Sequence, residues 1–68
     1  MSEEKWFVIT WIDGGNEARS HACPTKAAAL SLARDRKRQH ADVVRIEGPN
    51  DVVIRRAEIE QWIKDHPE

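Results

Sequence analysis

The run KWFVITWI, Lys5 to Ile12, is apolar on both faces of any strand it forms, and this limits what the chain can become. Its β-branched and aromatic residues favour extended backbone. Side chains alternate along a strand, so Phe7, Ile9 and Trp11 make one purely apolar face. Trp6, Val8, Thr10 and Ile12 make the other, mixed one. A helix laid on the sheet covers one face only, expected to be that of Phe7, Ile9 and Trp11, which leaves Trp6, Val8 and Ile12, with Val43 and Val53, on the other. The second must be closed by more of the chain or by another molecule, because a large bare apolar patch is unusual on a monomer.

Later segments of the chain supply the partners. DGGN (Asp13–Asn16) contains residues that tolerate positive φ, so the chain turns back. ARSHAC (Ala18–Cys23) is expected to pair with the first strand as a hairpin, with Ala18, Ser20 and Ala22 alternating against Arg19, His21 and Cys23. Pro24 and Thr25 end it. The Thr25 hydroxyl is placed to cap the alanine-rich run KAAALSLARDRKRQH, whose buried stripe is Ala29, Leu30, Leu32 and Ala33. A second hairpin turns near Gly48-Pro49-Asn50. An odd loop there groups Val44, Ile46, Val52 and Ile54 on one face and Val43, Arg45, Val53 and Arg55 on the other. An even loop mixes them, so the odd loop, with a bulge, is preferred. Ile59, Trp62 and Ile63 stand at helical spacing in AEIEQWIKDHP, which predicts a short amphipathic closing helix. The expected fold is α+β, ordered β-β-α-β-β-α. It is one small domain over 1–68, ordered over about 5–65, with a mostly antiparallel sheet and the main helix on one face.

The segment TKAAALSLAR, Thr25 to Arg34, between two hairpins resembles a family of very short bacterial β-β-α-β-β proteins of unknown function. In that family a Thr-capped helix with an A-[LI]-x-x-A-R core follows a hairpin bearing basic residues. The resemblance spans roughly residues 5–55 and implies the fold but no activity. The closing AEIEQWI helix is not part of that pattern.

A chain of 68 residues supports one thin core. A lone cysteine, Cys23, excludes an internal disulfide and with it a disulfide-stapled secreted module. The opening MSEEKW is acidic with no apolar signal region, and no apolar run approaches membrane-spanning length. A cytoplasmic, bacterial or phage-like protein is expected.

Catalytic signatures are absent: no nucleophile elbow, no P-loop, no H-E-x-x-H. His21 and Cys23 share one side of an ideal strand, but so small a chain offers little to wall a pocket around them. His21, Cys23, His40 and His66 lack the paired spacings of zinc sites. The expectation is therefore no enzyme, no cofactor and no metal.

The net charge of −1 hides an uneven distribution. Residues 25–45 carry six basic and two acidic side chains, while both flanks are acidic. RDRKRQH, Arg34 to His40, is the densest basic stretch. Cations near a helix C-terminus are favourable without any ligand, so a solvated helix end accounts for it. Two functions remain in view. The first is a protein-contact module, binding an unidentified protein or a second copy as a homodimer, through Trp6, Val8, Ile12, Val43, Val53 and Trp62. The second is a nucleic-acid binder using Arg34, Lys37, Arg38, Arg45 and Arg55. Against the second stand the negative net charge and the absence of the RNA-binding sheet signature.

Overall fold

The structure, a computed structural model, describes residues 4–67; the first three residues and the last lie outside it. The expected element order is observed. Strand β1 (Phe7–Ile12) turns through one 3-10 turn (Asp13–Gly15) into β2 (Asn16–Arg19). Helix α1 (Lys26–Arg38), strands β3 (Asp42–Glu47) and β4 (Val53–Arg55), and helix α2 (Arg56–Asp65) complete the chain. The four strands form one antiparallel sheet in the order β2-β1-β3-β4. Both helices lie on the same side of it, α1 over β1 and β3, α2 over β3 and β4.

Local chemistry explains the boundaries. Gly14 and Gly15 hold left-handed φ of 82° and 81° in the first turn, which a side chain would strain. The Thr25 hydroxyl accepts the Ala28 N–H at 3.1 Å, as a helix N-cap should. At the far end of α1, His40 takes the left-handed position at φ 66°. The Ala41 N–H then reaches back to the Arg36 carbonyl at 2.9 Å, closing the helix with a Schellman-type turn.

The core joins Trp6, Val8, Cys23, Ala29, Leu30, Ala33, Val43, Ile46, Ile54 and Ile59, all buried. Ile46, Ile59 and Val8 are its largest fully enclosed side chains. Each contributes about 1.5–3 kcal/mol by leaving water. Leu32, Trp62 and Ile63 pack against its edge.

Three expectations are corrected. The face of β1 that meets α1 is the mixed one carrying Trp6 and Val8, not the purely apolar one. A bulge in β3 explains part of this: Ile9 pairs with Arg45 but Thr10 pairs with Val43, so Val44 is the extra residue. Val43 thereby joins Ile46 in the core, and Val44 is only half-buried. The second hairpin does have the odd loop, since Ile46 pairs with Ile54 and Arg45 with Arg55, but Val52 is exposed. Finally, the β2 ladder stops at Arg19 rather than running to Cys23. The Ser20 hydroxyl accepts the Val8 N–H at 2.9 Å in place of a backbone carbonyl. One residue is gained before Cys23 pairs with Trp6 as an isolated bridge, which turns Cys23 into the core.

Candidate functional site

With both helices on one side, the open face of the sheet carries what pairs with Phe7, Ile9 and Trp11. Cross-strand partners share a face, so Glu17, Arg19, Asp42, Arg45, Glu47, Val53 and Arg55 stand there with them, Asp42 opposite Trp11 and ion-paired with Arg56. Arg45 holds Glu17 with both terminal guanidinium nitrogens, at 3.0 and 2.9 Å, and donates from Nε to Glu47 at 3.0 Å. Arg19 reaches the other Glu47 oxygen at 3.2 Å, and its guanidinium lies 5.1 Å from the centre of the Phe7 ring. This chain of charges roofs Ile9, which is only 3% exposed although no helix covers it. The forked Arg45 contact lowers the Glu17 carboxyl below the ordinary glutamate range. The same contact, with that from Glu47 second to it, raises Arg45.

The roof is incomplete at two places. Trp11 is 47% exposed and Val53 50% exposed on the same face. Arg55 stands directly opposite Arg45, a like-charged cross-strand pair, and no carboxylate among the described residues pairs with Arg55. Arg19, Arg45 and Arg55 therefore form one row across the sheet, through Ile9.

Of the protein-contact residues expected from sequence, only Val53 lies on this face. Trp6, Val8 and Val43 are core residues, turned towards α1 by the pairing of β1 with β3 and its bulge. Ile12 is exposed but belongs to the opposite side of β1, beside the turn. Trp62 is half-buried against the core edge and stacks on His66, with ring centres 4.3 Å apart. Sequence patterning missed Phe7, Trp11 and the Glu17–Arg45–Glu47–Arg19 chain. The purely apolar alternation was the signal for them, assigned to the wrong side.

The basic residues are not gathered. Arg34 and Arg38, one helical turn apart, face α2 and donate to the carbonyls of His66 at 2.7 Å and Pro67 at 2.6 Å. Arg34 also lies 5.6 Å from the centre of the Trp62 ring. They hold the otherwise open C-terminal end of the neighbouring helix. Lys37 points to solvent. Arg45 and Arg55 are on the far side of the sheet. The five residues of the nucleic-acid reading thus form no common surface.

Cys23 is buried, and burial pushes its thiol pKa up, away from a nucleophilic thiolate. Among the described residues no three His, Cys, Asp or Glu side chains converge on one point. No helix there is long and apolar enough to cross a membrane. No family model, curated protein or solved structure matches the chain.

Proposed function

We propose that this is a small non-enzymatic binding module of a reducing, cytoplasmic compartment that holds another protein on the open face of its sheet. Trp11 carries the reading. It stands half exposed beside a rigid lattice of charges, while Trp6 and Trp62 are packed into the fold. A large amphipathic ring on a fixed strand adds contact area at little entropic cost, which is why tryptophan is enriched at binding hot spots. Charge selects the partner. The row Arg19, Arg45, Arg55 has one member without a counter-charge among the described residues, so a surface offering a carboxylate beside an apolar group fits it. A second copy fits less well. A two-fold axis through the centre of the face, along or across the strands, would lay the arginine row against itself.

The test is a photo-crosslinking amino acid placed at Val53 in living cells, with Lys26 on the helix side as the control position. The expected result is a discrete adduct from position 53 that is lost with Trp11→Ser. Adducts equally abundant at both positions, or none at 53, would refute the proposal. An adduct of twice the chain's own mass would replace the partner by a homodimer.

A further inference from the structure

The run RDRKRQH divides by helical geometry. Arg34 and Arg38 take the flank of α1 that faces α2. Arg36 takes the opposite flank. It lies seven residues after Ala29 and three after Ala33, so it continues the row that meets the sheet. There it is half-buried, and among the described residues it has no ion-pair or side-chain hydrogen-bond partner. The C-terminal end of α1 gives its guanidinium only a partial negative neighbour, and a half-buried charge with no carboxylate beside it leaves water at a cost.

What Arg36 meets is a cleft of about 300 Å³. It is bounded by Thr10 and Ala18 on the strands, by Ser20 just past β2, and by Gln39 and Ala41 beyond the end of α1. The cleft exists because α1 lies over β1 and β3 and leaves β2 to one side. Arg19 also borders it, but its guanidinium is turned to Glu47 and Phe7 on the other face. The Ser20 hydroxyl is engaged, donating to the His21 carbonyl at 2.9 Å and accepting from Val8. Of the polar lining residues, Arg36, Thr10 and Gln39 have no side-chain hydrogen-bond partner among the described residues, and Val8, Ala18 and Ala41 make up the apolar part of the lining.

We infer that this cleft binds a small aliphatic carboxylate, with Arg36 as its fork. One guanidinium matches one planar carboxylate through two parallel hydrogen bonds. A phosphate dianion is a poorer match, because the negative end of the α1 dipole lies at the same place and only one cation opposes it. The volume is at the lower end of ligand pockets, large enough for a short acyl chain and not for a nucleotide. The carboxylate has two sources, a free short-chain acid or an acidic side chain of a peptide. This site is separate from the open sheet face and does not depend on it.

The experiment is an amide-shift titration of the isotope-labelled protein, with butyrate, N-acetyl-glutamate N-methylamide, butyramide and inorganic phosphate as probes at constant ionic strength. Saturable shifts confined to Thr10, Ser20, Gln39 and Ala41 are expected with a carboxylate probe. Butyrate alone giving them identifies a free acid, and the glutamate probe giving them more tightly identifies a peptide. Arg36→Gln should weaken that binding about tenfold or more, and Arg36→Lys should weaken it less. No saturable shift, equal binding of butyramide, tighter binding of phosphate, or unchanged binding in a folded Arg36→Gln protein would each overturn the inference.

Discussion

Gly48 offers the sharpest test of the packing, because the expected sign opposes the usual one. Glycine to alanine ordinarily stabilises by about 0.4–1 kcal/mol where the backbone conformation allows it, by restricting the unfolded chain. The φ of Gly48 is not in the left-handed region, so alanine meets no backbone objection. A β-carbon there would lie 2.4, 2.6 and 2.9 Å from three carbons of the Trp6 ring. Trp6 is buried among Val8, Cys23 and Ile46 and cannot swing aside without opening the core. Overpacking of this kind costs about 1–3 kcal/mol. Three contacts this short put the cost in the upper part of that range, about 2–3 kcal/mol, which less the gain of about 0.4–1 kcal/mol leaves about 1–2.6 kcal/mol; at roughly 4–8 °C per kcal/mol in a domain of this size, Gly48→Ala should lower Tm by at least about 4 °C. Thermal and urea unfolding, each monitored by tryptophan fluorescence and circular dichroism, read both quantities. The same change in a Trp6→Leu background should be neutral or stabilising, because the obstructing ring is gone. If Gly48→Ala is as stable as the parent, or if Trp6→Leu does not relieve it, the account of this end of the core is wrong.

Other expectations rest on the same contacts. Replacing both Arg34 and Arg38 by alanine should cost about 1–2 kcal/mol and release the last turn of α2 first, seen as faster amide exchange at Lys64 to His66 with β1 unchanged. His40→Gly should stabilise by about 0.5–1 kcal/mol, the left-handed cost of a side chain less the added freedom of glycine, measured as a higher urea midpoint. Glu17 has a lowered pKa in the folded state, so its contribution is present above the unfolded value near 4.5 and is lost as pH falls through the lower folded one. Arg45→Met should return Glu17 to its ordinary titration, tracked by carboxyl NMR, and remove that part of the acid sensitivity.

The elements were legible in the sequence, and their faces were not. Thr25 before an alanine row, two glycine- or asparagine-bearing turns and the Ile59–Trp62–Ile63 spacing each encode local structure, and all are observed. Facing is decided by register, and two single-residue irregularities set it: the bulge at Val44 and the Ser20 hydroxyl that stands in for a carbonyl. Neither has a local signature. A pattern rule also favours burying the more apolar face, yet Ile9 is covered by Glu17, Arg45, Glu47 and Arg19, which are 28 residues apart in the longest pairs. The basic run suggested a solvated helix end or a phosphate grip. Arg34 and Arg38 instead hold the end of α2 and Arg36 borders a cleft, while Lys37 stays in solvent, a division visible only once the position of α2 beside α1 is known.

Occupancy of the open face in the cell can be read from the three tryptophans. Labelling with 5-fluorotryptophan gives one fluorine signal each for Trp6, Trp11 and Trp62. Spectra of the protein in buffer and inside cells should show the Trp11 signal shifted or selectively broadened beyond the other two. Three signals that keep the same relative positions and widths in both settings would contradict the account.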